Sequence, residues 1–309
     1  FGAYVVCNKR ATTSAYVSIS AGSPGNTGSL LTIATVYSGT TTGINKSNAD
    51  TIKLHSIYAT NDRYPIAFSE KTNEDNLTDL VLGSIYGNIH GYAGAIFVYY
   101  GELSSGGTLP ALHAGNQTDA LYGAGISGAG DVNGDGYSDL IVGAPGYDNG
   151  EADEGAAFLY YGSSTGIGSD PVMLEADQAN AHFGTAVSGA GDLNGDGYAD
   201  IIIAAPHYDN GQTDEGVVFV YLGSSTGIST MPAALLESNQ ANTLFGNSIS
   251  RAGDVNGDGF SDILIGAPLY DNGQTDEGVV FVYTVSSAGI NNTPAIILER
   301  DQGNAQFGA

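Results

Sequence analysis

The sequence predicts an all-β fold, a β-propeller of four-stranded antiparallel blades, on three observations. An acidic stretch recurs as DVNGDGYSD from Asp131, DLNGDGYAD from Asp192 and DVNGDGFSD from Asp254, at spacings of 61 and 62 residues. Aromatic–glycine pairs keep the same phase: Phe1-Gly2, Tyr122-Gly123, Phe183-Gly184, Phe245-Gly246 and Phe307-Gly308, with Tyr64-Pro65 in the remaining place. Short apolar runs follow each acidic stretch, with no helical periodicity between them. A long, regular period marks a propeller, solenoid or array, and four short antiparallel strands per period make a propeller blade. A stacked β-solenoid is the alternative, although its coils are usually shorter than roughly 60 residues.

Taken in order, each unit supplies its strands as the TAVSGAG type, the DIIIA type, the VVFVY type and the AALLE type. The second strand ends in GAP or AAP, as in LIVGAP, IIIAAP and ILIGAP. Five units result, at residues 1–63, 64–121, 122–182, 183–244 and 245–306, with 307–309 starting a sixth. The second unit carries a degraded loop, KTNEDNLTD, in which Asn73, Asp75 and Asp79 survive while Lys71 heads the loop and Asn76 replaces a glycine. The Lys71 ammonium is expected to stand in for a cation there, pairing with Asp75 or Asp79. In the first unit, at Asn8–Tyr16, no carboxylate remains.

Composition agrees with short strands and tight turns: 46 glycines, 42% hydrophobic residues and a low charged fraction over 309 residues. The formal net charge of −25 argues against nucleic acid or an anionic membrane surface as partner. Nearly all of it lies late in the chain. Residues 1–121 hold 8 acids and 6 bases, whereas residues 122–309 hold 25 acids and 2 bases. The single Cys7 leaves no internal disulfide or cysteine-based metal site and is read as a small buried hydrophobe. No run of 18 apolar residues is present to span a membrane as a helix. The start FGAYVV, without Met, suggests a mature chain or an excised piece.

The acidic loop is the strongest chemical signal. Side chains at positions 1, 3, 5 and 9 can converge when glycine at position 6 allows a sharp turn. These are Asp131, Asn133, Asp135 and Asp139, then Asp192, Asn194, Asp196 and Asp200, then Asp254, Asn256, Asp258 and Asp262. The backbone carbonyls of Tyr137, Tyr198 and Phe260 can add a further oxygen to each set. Oxygen donors with several carboxylates and no His or Cys suit Ca²⁺, so three Ca²⁺ sites are expected. Position 12, where an EF-hand places glutamate, holds Val142, Ile203 and Ile265. The plain alternative, a solvated Asn/Asp/Gly turn, does not explain three near-identical copies at one phase.

FG, the DxNxDGxxD loop and GAP, in that order, resemble the FG-GAP repeat of integrin α-subunit propellers and of many bacterial surface proteins. The resemblance covers the whole chain, strongly in units three to five and weakly in units one and two. It implies closure of the calcium loop by the position-9 aspartate at the start of a strand. Family propellers commonly have seven blades, so it implies either a portion of a longer ring or a closed five-bladed one. It also implies a non-catalytic, calcium-binding adhesion or ligand-binding module, secreted or on the cell surface, facing a protein or glycan ligand. An accessory propeller of a larger secreted enzyme, with or without carbohydrate binding, is the competing reading. No RGD sequence occurs.

Other motifs carry less. GSSTG at Gly162–Gly166 and Gly223–Gly227 fits a nucleophile pattern, but it repeats at the blade period between strands and reads as a β-turn. Gly123, Gly125 and Gly128 fit a dinucleotide fingerprint without the helix it needs. His55, His90, His113, His182 and His207 fall at no metal-ligand spacing. Sequons stand at Asn45, Asn76, Asn116 and Asn291. The loops YDNGEADEG and, twice, YDNGQTDEG read as strand connections built on Asn-Gly turns. Their acids (Asp148, Asp153, Glu154 and the later equivalents) face water in that reading, or form a ligand surface opposite the calcium loops.

Overall fold

The computed structural model describes residues 65–75, 77–85, 94–101 and 110–309, and also four N-terminal strands by their backbone pairing. Those four, Cys7–Lys9, Ser14–Ala21, Thr32–Thr40 and Gly43–Lys53, pair in sequence order as one antiparallel sheet. The side chain of Cys7, both histidines before residue 91, Phe1-Gly2, Tyr64 and Asn76 lie outside the described residues.

Four more sheets follow, each a meander of four antiparallel strands. The second comprises Ile66–Glu70, Thr78–Ser84, Ala95–Tyr99 and Ala111–Ala114. The third comprises Gly125–Gly130, Asp139–Ala144, Ala156–Tyr160 and Val172–Glu175. The fourth comprises Ala186–Gly191, Asp200–Ala205, Val217–Tyr221 and Ala234–Glu237. The fifth comprises Ser248–Gly253, Asp262–Ala267, Val279–Tyr283 and Ile296–Leu298, with a small hairpin, Val285–Ser286 and Gly289–Ile290, before its last strand. The first strands of sheets two to five touch one another in chain order, which is the radial stacking of propeller blades.

Strand alternation explains how the stack holds together. In the second strand of the third sheet, Leu140 and Val142 enter the core shared with the second sheet, while Ile141 enters the core shared with the fourth. In the fourth sheet, Ile201 and Ile203 face back while Ile202 and Ala204 face forward. Covered on both faces, these strands read as continuous apolar runs. Each fully buried Ile or Leu contributes about 1.5–3 kcal/mol. Phe183 and Phe245 are fully buried wedges between sheets, edge-on to Phe219 at 5.1 Å and tilted against Phe281 at 5.3 Å. The innermost strands come closest, and there Gly189 lies against the backbone of Gly128 and Ala129 with no room for a side chain.

The aromatic–glycine and DEG motifs are two halves of one contact. Gly155 forms a parallel bridge with Phe183, as Gly94 does with Tyr122. Gly216 has φ +80, and a Cβ there would overlap the carbonyl oxygen of Phe245. Gly216→Ala combines a left-handed backbone with overpacking and is expected to cost about 2–4 kcal/mol. Chemical denaturation of the variant checks this, and a cost below about 1 kcal/mol would mean the seam is looser than described.

Candidate metal centre and the acidic loops

Each acidic loop joins the first strand of its sheet to the second, and its backbone wraps around its leading aspartate. Asp131 Oδ1 accepts from the N–H groups of Gly134 (2.7 Å) and Asp135 (3.1 Å), and Oδ2 accepts from Gly136 (2.8 Å). Asp135 Oδ1 accepts from Tyr137 N–H at 2.9 Å, and its Oδ2 from the Asn133 amide at 3.1 Å. The same bonds recur around Asp192 and Asp254. The N–H groups of Gly259, with Gly257 and Asp258, hold the Asp254 carboxyl below the usual carboxylate range.

The position-9 aspartates differ from the others. Asp139, Asp200 and Asp262 are fully buried, and each uses both oxygens on backbone N–H groups. Asp139 takes Val132 and Gly162, both at 2.8 Å. Asp200 takes Leu193 at 2.6 Å and Gly223 at 2.8 Å, and Asp262 takes Val255 at 2.8 Å and Val285 at 2.9 Å. Burial pushes Asp139 up to about 7 and Asp200 to about 6. The two N–H bonds oppose the shift, and the neighbouring Asp135 and Asp131, or Asp196 and Asp192, add to it. A cation beside these groups would favour their ionised forms.

In the second unit the same buried residue persists without the rest of the loop. Asp79 accepts from Thr72 N–H (3.1 Å), from Gly101 N–H (3.0 Å) and from the Thr72 hydroxyl. Its carboxyl is raised by burial, against the Thr72 hydroxyl bond. Lys71 does not pair with Asp75 or Asp79. Its ammonium lies 5.3 Å from the centre of the Tyr137 ring, and the only ion pair among the described residues is His207–Asp214. Neutral donors already satisfy Asp79, which leaves Lys71 free to cap the next sheet's aromatic.

The loops also fasten neighbouring sheets. Asp131 C=O accepts from Ala199 N–H (2.9 Å), and Val132 C=O from Ser224 N–H (3.0 Å), both in the fourth sheet. Tyr198 lies on Gly134, and Phe260 lies on Gly195. GSSTG is therefore a turn that docks on the preceding loop. The Ser163 hydroxyl closes the turn on Gly166 C=O at 2.6 Å. On the fifth sheet nothing described covers the equivalent positions: Val255 is 55% exposed where Val132 and Leu193 are at 0% and 2%.

The structure does not draw the three aspartates of any loop into one tight group. Among the described residues, trios of carboxylates whose oxygens all lie within 4.8 Å are Glu154, Glu175 and Asp177, and Glu277, Glu299 and Asp301. These join the DEG loop to the end of the fourth strand, at the opposite end of the sheet. Sequence reading singled out the DEG glutamates but missed their partners. The available signal was LEAD, LESN and LERD, recurring 21 or 22 residues after each of those glutamates. His182 and His207, distant in sequence, stack edge-on at 4.9 Å.

A cavity of about 310 Å³ lies between the fourth and fifth sheets. Leu193, Val220, Leu222 and Ile290 line it, with Asn194 and Asn292 as its polar side chains. It offers few of the convergent polar groups that orient a small ligand.

Residues 122–160, 183–221 and 245–283 match the FG-GAP repeat. The chain is 37% identical to integrin alpha-PS3 of Drosophila melanogaster over 145 residues, 45% of this chain and 13% of that protein. It is 32% identical to human integrin alpha-IIb over 213 residues, 66% of this chain and 20% of that protein. Integrin alpha-5 of Xenopus laevis is 29% identical over 240 residues, 74% of this chain and 22% of that protein. The matched stretch thus spans about a fifth or less of the length of these relatives.

Proposed function

We propose that this chain, an FG-GAP β-propeller similar to integrin alpha subunits, is a calcium-stabilised, non-catalytic adhesion or ligand-binding module. It acts outside the cell or at its surface, and its repeats run 1–63, 64–121, 122–182, 183–244 and 245–306. The observation that carries the calcium reading is the repetition of one loop, bond for bond, in three successive sheets. Each copy sets Asp131, Asn133 and Asp135, or their equivalents, in one loop closed by a buried aspartate, and burial with the neighbouring carboxylates opposes the charge of Asp139 and Asp200. All donors are oxygen, which fits a hard cation better than a transition metal. Held there, Ca²⁺ would offset the repulsion among the aspartates and stiffen a loop on which the next sheet docks. The likeness to integrin alpha subunits supports the adhesive role and the extracellular setting, where calcium is abundant enough to fill sites of roughly 10⁻⁴–10⁻³ M affinity.

Asp196→Ala tests the assignment at one loop. Asp196 is exposed and holds no neighbouring sheet, so its removal is expected to weaken one site at least tenfold and leave the other two intact. Calcium titration calorimetry reads this directly. Unchanged binding would remove Asp196 from the ligand set. Adhesion is read separately, by capture of the chain on immobilised extracellular-matrix proteins with and without calcium. Equal binding in both would disconnect the metal from the ligand surface.

A further inference from the structure

We propose that the third and fifth sheets each carry a second site for a hard divalent cation, at the end opposite the acidic loops. Glu154, Glu175 and Asp177 form one, and Glu277, Glu299 and Asp301 the other. Sheet register builds both. Ala156 pairs with Glu175 at the end of the ladder, and Glu154 and Asp177 each lie two residues beyond it. Val280 pairs with Leu298 at the end of its ladder, and Glu277 and Asp301 each lie three residues beyond it. One oxygen from each carboxylate of a trio lies within 4.8 Å of one from each of the others, a separation that one calcium ion with bonds of about 2.3–2.6 Å can bridge.

A second observation points to a ligand. Glu154 and Glu277 are at least 99% buried, and the Oε2 atom of each has no hydrogen-bond partner. Their Oε1 atoms are already engaged by loop N–H groups, of Asn149 in one sheet and of Asn272 (2.6 Å) and Gln274 (3.3 Å) in the other. The carboxylate is thereby locked in orientation, with one oxygen left over. The side-chain amides of Asn149 and Asn272 hold Glu175 and Glu299 in place from outside the trio. Among the described residues no basic side chain neutralises either trio. Arg300, next in sequence to Asp301, makes no ion pair, since the only one among the described residues is His207–Asp214. Buried carboxylates are paired, metal-bound or protonated.

The fourth sheet holds a weaker copy. Glu215 is buried with the same unpartnered Oε2, and Glu237 is in place, but Asn239 stands where the others have aspartate. Val217 pairs with Glu237 at the end of this ladder, and Glu215 and Asn239 each lie two residues beyond it. The chain therefore supplies its own tolerated substitution for the experiment.

Equilibrium dialysis of the intact chain against about 10 mM Ca²⁺, above the roughly 10⁻⁴–10⁻³ M range of extracellular modules, counts the ions bound. Three acidic loops and two trios together predict five. Asp177→Asn with Asp301→Asn, copying Asn239, is expected to lose two ions, and Asn239→Asp to gain one. A count of three in the unmodified chain, unaltered by either variant, overturns the proposal and means that the trios hold protons instead. The arithmetic separates this inference from the acidic-loop reading. If the loops bind nothing, the unmodified chain binds two ions and the double variant none. The count on the unmodified chain stands even where a variant fails to fold.

Discussion

Chelation with EDTA is expected to lower the melting temperature by on the order of 10 °C, and excess Ca²⁺ to restore it. At free calcium ten times Kd, a site on the native state alone adds about 1.4 kcal/mol, so three loops add about 4 kcal/mol. For a domain of this size each kcal/mol moves the midpoint by about 2–4 °C. A bound ion would have a long reach, because Asp131 and Val132 present their carbonyls to the fourth sheet and Tyr198 rests on Gly134. Destabilisation should therefore spread along the stack, as expected where repeats contact only their neighbours. A melting temperature unmoved by EDTA would rule out structural calcium.

Asp200→Ala is expected to be the most damaging single substitution in the loops, costing about 2–5 kcal/mol, without rescue by calcium. It strands the buried N–H groups of Leu193 and Gly223, each costing about 1–3 kcal/mol to leave unpaired. Asp200→Asn should fall between, since its one amide oxygen can satisfy only one of the two donors. Thermal melts of both variants, in EDTA and in calcium, separate scaffold from metal. Full recovery of Asp200→Ala by calcium would contradict the scaffold role. Asp79 supports it independently, keeping the same pair of backbone bonds in a loop headed by Lys71.

The architecture was legible because its signals are local and repeated. The 61-residue phase, the apolar second strands and the buried Phe183 and Phe245 all follow from side-chain patterning along the chain. Turn chemistry likewise exposed GSSTG as a connection. What escaped depends on register or on competition between donors. Glu154 and Asp177 meet only because two strands pair with Ala156 against Glu175. Lys71 sits near acidic residues in sequence, yet Thr72 and Gly101 reach Asp79 first and an aromatic ring from the next sheet takes the ammonium. The position-9 aspartates read as ligands, and their work as brackets for Val132 and Gly162 needed the third strand's end to be placed.

The carbonyls of Asp131 and Val132 have a mechanical consequence. A ladder inside one sheet shares load over several rungs, whereas the loop edge between the third and fourth sheets is stitched by two backbone bonds, to Ala199 and Ser224. Tension on an adhesive tether would concentrate at these two stitches. A filled loop would raise the force at which each yields, so calcium would act as a setting for rupture strength as well as for folding. In single-molecule pulling, the step between the third and fourth sheets should shift with calcium, while the step between the second and third, stitched through Lys71 and Thr72, and the steps within a sheet hold steady.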